Sequence, residues 1–160
     1  HLSLRRQRQM CIRDSQWKSK LPVDSIYENP VSALDLGATI VSLSGAVVSK
    51  DKPLDGVNLM PFFNGENKSK PHDTIYLRRF DRNRFAVRNG NEKIIIPWKG
   101  AAPQLYDLSN DIGEQKDIAK ERPKRVQELD VLRKKWNDNL IEPTFLGLIH
   151  LHGWAKRKRK

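Results

Sequence analysis

The chain has 160 residues, of which 38% are hydrophobic and 31% charged, with a net charge of +11. This allows one modest domain with a small core and excludes a large two-domain enzyme; no apolar run approaches the roughly 20 residues that span a bilayer. Four arginines against Asp14 give the first 15 residues +3, Lys156 to Lys160 add five charges, and the body keeps only +3, so the basic total describes two tails rather than a nucleic-acid-binding face.

In chain order, residues 5 to 15 read RRQRQMCIRDS, eleven consecutive residues that resemble the one-frame translation of a transposase-type sequencing adapter. Residues 1 to 15 are therefore expected to be foreign, and they lack the apolar core of a signal peptide. They contain the only cysteine, Cys11, so no internal disulfide forms and cysteine pairing says nothing about the redox compartment. Residues 16 to 29, with Pro22 and little periodicity, read as irregular or briefly extended chain.

A helix follows. Ser32 and Asp35 stand in the S-x-x-D spacing of a capping box, Leu34, Ala38 and Val41 share one face with Leu36, Ile40 and Leu43 beside it, and Gly45 suits a C-terminal cap with φ > 0. So broad an apolar stripe predicts burial against something larger than this chain provides. Beyond a polar loop, Leu59, Met60, Phe62 and Phe63 cluster around Pro61. Asp55-Gly56 and Asp111 are read as turn formers. Asn67-Lys68-Ser69 is a glycosylation sequon that matters only in a eukaryotic secretory pathway.

Residues 74 to 80, 85 to 88, 93 to 98 and 104 to 108 have strand character, with Asn89-Gly90 as a type I′ hairpin turn. The last helix opens near Pro123 and carries Val126, Leu129, Leu132, Trp136 and Leu140 on one face. Lys124, Arg125, Arg133, Lys134 and Lys135 lie mostly off that face and read as a solvated basic surface. Arg88 is expected to find an acidic partner across the sheet. The fold class is α+β: a small four-stranded antiparallel sheet covered by a C-terminal helix, preceded by a helix and a linker.

Five segments in order carry a family resemblance. They are Gln16-Trp17-Lys18-Ser19-Lys20-Leu21-Pro22; Pro30-Val31-Ser32-Ala33-Leu34-Asp35-Leu36; Leu54-Asp55-Gly56-Val57-Asn58-Leu59-Met60-Pro61-Phe62-Phe63-Asn64-Gly65; Ala86-Val87-Arg88-Asn89-Gly90 with Lys93-Ile94; and Leu105-Tyr106-Asp107-Leu108 with Asn110-Asp111-Ile112-Gly113-Glu114. Over residues 16 to 149 the chain resembles the carboxy-terminal part of the type I sulfatase family, the third segment being the most specific. It departs from the family pattern at Ser19, usually glycine, at Ala38, commonly proline, and at Ile112, which replaces proline.

The resemblance implies that residues 16 to 65 are the end of a larger α/β sulfatase domain and its linker, residues 66 to 150 a small subdomain, and residues 151 to 160 a basic tail. It implies a sulfuric ester hydrolase acting on a sulfated carbohydrate or other sulfate ester, using calcium and a formylglycine nucleophile. The fragment itself is expected to hold neither group, to lack catalytic and metal-binding residues, and to be inactive without its missing N-terminal catalytic domain. Cys11 does not fit the nucleophile motif Cys-x-Pro-x-Arg, because Arg13 and Ser15 occupy the proline and arginine positions. The small subdomain closes one side of the substrate cleft in the family, so His72, Arg78, Arg79 and Arg82 are the candidate substrate-binding cations. His150 and His152 lack the partners of a metal site. A periplasmic or secreted location is expected from the family, with no membrane and no specific nucleic-acid partner.

Two other readings stay open at this point: a phosphatase or phosphonohydrolase of the same superfamily, or a polyanion-binding module driven by the Lys156 to Lys160 tail, whose attraction is salt-sensitive and non-specific.

Overall fold

The computed structural model describes residues 15–80 and 83–141. The chain divides into two compact units, His1–Pro71 and His72–Lys160. Cys11, His150, His152 and the basic tail lie outside the described residues.

The first unit is organised by helix α1, Ala33–Leu43. Its start follows the sequence rule: Ser32 is extended, its hydroxyl accepts from the Leu34 N–H at 3.3 Å, and the Asp35 carboxylate accepts from the Ser32 N–H at 2.6 Å. The helix closes on Ser44, and Gly45 follows at φ 73°, the left-handed conformation that glycine adopts without strain.

The burial of α1 reverses the usual polarity. Its buried residues are Asp35 and Ala38, whereas Leu34, Leu36, Ile40 and Leu43 are all exposed, Ile40 by 67%. The buried carboxylate is possible because hydrogen bonds replace its lost water. Besides capping the helix, Asp35 accepts from the Val57 N–H at 3.0 Å. One turn further on, the Thr39 hydroxyl donates to the Asp35 carbonyl at 2.6 Å and accepts from the Leu59 N–H at 2.9 Å. Two amides of the linker are thus held by two side chains of the helix, and the linker residue Leu59 is fully buried. The Asn58 side-chain amide adds a contact to the Ser42 hydroxyl at 3.0 Å.

This clamp changes the role of Gly56, which was expected to shape a turn. Its φ lies outside the left-handed region, but a Cβ there would sit 2.3 Å from the Leu34 carbonyl oxygen and 2.7 Å from the Asp35 nitrogen. Glycine is required because two backbones touch. The linker then winds into the short helix α2, Met60–Phe63, with Pro61 in its first turn, and the Phe63 ring meets Tyr27 edge-on at 5.1 Å.

The second unit is a meander of β1 (Thr74–Arg79), β2 (Arg84–Asn89), β3 (Glu92–Ile96) and β4 (Gln104–Asp107), antiparallel throughout in the order β1-β2-β3-β4. Helix α3, Pro123–Asp138, packs on one face. In strands alternate residues share a face, and the registers place Val87 beside Ile94 and Ile94 beside Leu105. These three join Ile118 and Leu129 of α3 in the core, flanked by Tyr76, Val126 and Leu132. The Trp136 ring stacks on Tyr76 at 5.0 Å, as the helical spacing of its apolar face predicts. The fold class read from the sequence is therefore the one observed.

Three local expectations need correction. The tight turn is Gly90-Asn91 rather than Asn89-Gly90, because Asn89 pairs with Glu92 and only Gly90 has positive φ, the pattern of a type II′ turn. Arg88 finds no acid across the sheet. It lies opposite Lys93 and Ile75 and donates instead to the Gly90 carbonyl at 3.0 Å. The basic residues of α3 are not simply solvated. Arg125 bonds Glu92 at 2.6 Å and Asn89 at 2.7 Å, while Arg133 pairs with Asp130 at 2.7 Å and lies 4.7 Å over the Phe85 ring.

The close approach at Gly56 gives a stability test. Gly56→Ala is expected to destabilise the first unit by about 2 kcal/mol or more, since backbone must move to admit the methyl. Gly37→Ala, inside α1 with open space around it, is expected to stabilise by up to about 1 kcal/mol. Urea unfolding followed by circular dichroism checks both signs.

Candidate functional site

The candidate cations sit on and before β1, the edge strand of the sheet. His72 is half-buried two residues ahead of the strand. Arg78 pairs with Phe85 and therefore shares the α3-covered face; its guanidinium packs 5.0 Å from the Phe80 ring and 5.8 Å from Phe85. Phe85 is thus flanked by Arg78 and by Arg133, an arrangement that favours cations over an aromatic face. Arg79, one residue on, projects from the opposite face, is exposed, and lies directly across from Arg84. The sheet separates Arg78 from Arg79 instead of bringing them together. Arg82 lies outside the described residues.

The remaining charged groups mostly have structural partners. Lys93, from the hairpin segment, forms an ion pair with Glu114, the last residue of the Leu105–Glu114 segment; both are only partly exposed. Glu92 receives Arg122 at 3.0 Å and Arg125 at 2.6 Å, fastening the start of α3 to the start of β3. Asp117 accepts from the Leu105 N–H at 3.0 Å and the Ala119 N–H at 2.9 Å. These pairings tie the loop after β4 back onto the sheet.

Several carboxyls are consequently held in the ionised form. Backbone N–H groups of Lys116 and Gln115, both 2.8 Å from Asp111, hold it below the usual carboxylate range. The Ser109 hydroxyl and N–H do the same for Asp107. Burial raises Asp130, but its bonds to Arg133 and Lys134 outweigh this and leave it lowered. Hydrogen bonds from Arg125 to Glu128 and Glu92 raise that arginine further, and burial raises the Tyr106 hydroxyl.

A calcium site does not fit the described residues. They contain no group of three or more His, Cys, Asp or Glu side chains placed to hold a metal ion. The buried or half-buried carboxylates Asp35, Glu92, Glu114 and Asp130 already accept from backbone or from cations, which leaves no oxygen-rich cage. Among the described residues no helix is long and apolar enough to cross a membrane.

No protein-family model matches the chain. It is 30% identical over 110 residues to a Delta 4,5-hexuronate-2-O-sulfatase of Bacteroides thetaiotaomicron, an alignment covering 65% of this chain and 22% of the relative. It is 28% identical over 137 residues to arylsulfatase A of Bos taurus, covering 66% of this chain and 27% of that protein. The crystal structure of Ps i-CgsB superposes with a TM-score of 0.70 at 26% identity, covering 89% of this chain and 32% of the other. The fold, the ordered motifs and these relatives define a carboxy-terminal α+β region of sulfatase type. The chain is similar to sulfatases over their carboxy-terminal region. It spans about a fifth to a third of the length of these relatives.

The lowered carboxyls set an acid limit. Their folded-state pKa lies below the unfolded value of about 4, so their stabilisation is present above that value and is lost as pH falls through the folded pKa. The unfolding midpoint is expected to stay level from pH 7 to about 5 and to fall below about pH 4. Replacing Asp111 by Asn should lower stability at pH 7 and shrink the acid-induced fall, as read by urea titrations across pH.

Proposed function

We propose that this chain is the carboxy-terminal part of an enzyme that hydrolyses sulfate esters of carbohydrates. The match to sulfatases of which it spans only a fraction carries this reading. The nucleophile, read as formylglycine, and the calcium ion then belong to an amino-terminal catalytic portion. The carbohydrate class is supported by the name of the hexuronate sulfatase relative and by the solution of Ps i-CgsB in complex with k-i-k-neocarrahexaose. The apolar residues of α1 support the two-part arrangement. Leu34, Leu36, Ile40 and Leu43 are 47% to 67% exposed, an unusual display for a helix that otherwise packs normally.

The chemistry explains why the described residues do not suffice. Cleaving a sulfate ester develops negative charge on the leaving oxygen, so a nucleophile, cations and a proton donor must converge on one sulfate. Here the cations diverge: Arg78 turns to the α3 side and Arg79 away from it. What this region offers is a rigid sheet whose surface presents charge to an acidic ligand. Periplasmic or secreted location follows as part of the same reading, since extracellular polysaccharides are the accessible substrates.

Recovery of the upstream reading frame tests the proposal. The expected result is a Cys-x-Pro-x-Arg motif or its serine counterpart, with the extended protein releasing sulfate from a sulfated disaccharide and the 160-residue chain releasing none. An upstream frame without the motif, or hydrolysis by the short chain alone, contradicts it.

A further inference from the structure

The sequence contains two Asn-Gly pairs, Asn64-Gly65 and Asn89-Gly90. Their glycines are alike. Both have positive φ, 76° and 60°, and a Cβ built on either would meet nothing within 4 Å. Each glycine N–H makes one long hydrogen bond, Gly65 to the Phe62 carbonyl at 3.3 Å and Gly90 to the Asp73 carbonyl at 3.4 Å. The asparagine side chains differ. Asn89 is half-buried and held at both ends: its amide nitrogen donates to the Thr74 hydroxyl at 2.7 Å and to the Asp73 carbonyl at 3.3 Å, and its oxygen accepts from Arg125 at 2.7 Å. Asn64 closes α2 through its backbone, the N–H donating to the Met60 carbonyl at 3.0 Å. Its side chain is exposed and makes no hydrogen bond with other described residues.

We propose that Asn64 is a site of spontaneous deamidation, with water as the only co-reactant. Glycine is the residue that favours this chemistry, because it has no Cβ to shield the backbone nitrogen that attacks. The Gly65 nitrogen adds to Cγ of Asn64; the new N–Cγ bond replaces the bond from Cγ to Nδ2, and Nδ2 leaves as ammonia with the proton from the Gly65 amide. One water molecule then opens the five-membered succinimide at either carbonyl. The two openings give aspartate and isoaspartate, the latter with its main chain running through the side-chain carbon. Ring closure needs rotation about ψ of Asn64, which stands at −3°. That rotation breaks the Gly65 bond to Phe62 and loosens the one from the Asn67 N–H to the Pro61 carbonyl at 2.8 Å. Both bonds lie at the end of a one-turn helix, and residues 64–70 are all exposed, so this segment opens locally at low cost. At Asn89 the same reaction must first free the amide from Asp73, Thr74 and α3. The product adds a carboxylate, and as isoaspartate one main-chain carbon, at the end of the linker while the hairpin keeps its covalent form.

Incubating the folded 160-residue chain, digesting it with trypsin and sequencing the peptides by mass spectrometry reads both sites at once, since Lys68 and Arg88 place them on different peptides. Asn64 is expected to convert at least about tenfold faster than Asn89, to do so faster as pH rises, and to yield isoaspartate that an isoaspartate-specific methyltransferase labels. In urea the two rates should converge, because the anchors of Asn89 are lost. Thr74→Val, which removes one acceptor from the Asn89 amide, should speed conversion at Asn89 and leave Asn64 unchanged. An Asn64 that stays intact in the folded chain over the time in which it converts in urea overturns the proposal. So does an Asn89 that converts as fast as Asn64 in the folded chain.

Discussion

The buried carboxylate of Asp35 is the constraint on which the first unit depends. One oxygen caps the helix by accepting from Ser32, and the other reaches 22 residues along the chain to accept from Val57. Thr39 repeats the reach one turn later toward Leu59. Helix start, linker path and the close contact at Gly56 are thereby one arrangement. Removing the carboxylate would leave linker and cap amides without an acceptor, at about 1–3 kcal/mol for each buried unsatisfied group. Polar clamping of this kind also frees the apolar residues of α1 from holding the linker, which is consistent with their exposure.

Ion pairs do the corresponding work in the second unit. The sheet and α3 share a small core of five buried side chains, and the long loop between β4 and α3 contributes only Ile118 to it. Lys93 with Glu114, and Glu92 with Arg122 and Arg125, fix that loop and the helix start to the hairpin. Being partly shielded, such pairs keep more of their Coulomb attraction than exposed ones. Much of the basic character of this unit is therefore consumed internally. A high isoelectric point is a poor guide to a nucleic-acid partner here.

Local rules made part of this legible in the sequence. The capping box at Ser32 and Asp35, the proline-led last helix and the alternation of the strands all depend on neighbours within four residues, and each is found where those rules place it. The clamp was invisible because its partners lie 20 and 22 residues away. Gly56 was legible as a required glycine but not for the right reason, since close backbone approach leaves no local signature. The hairpin turn slipped by one residue because Asn89-Gly90 and Gly90-Asn91 are both acceptable turn pairs, and only strand register decides between them. The divergence of Arg78 and Arg79 follows from strand alternation and was readable in advance. The burial of Arg133 against Phe85 was not, because it requires knowing which face α3 covers.

Residue-resolved amide hydrogen exchange on the wild-type chain and on Thr39→Val measures the clamp itself. Val57 and Leu59 should both be protected in the wild type, and the valine variant, which keeps the shape of threonine but loses the acceptor, should release Leu59 while leaving Val57 slow. Rapid exchange at both amides in the wild type, or no change at Leu59 in the variant, would contradict a linker held by Asp35 and Thr39.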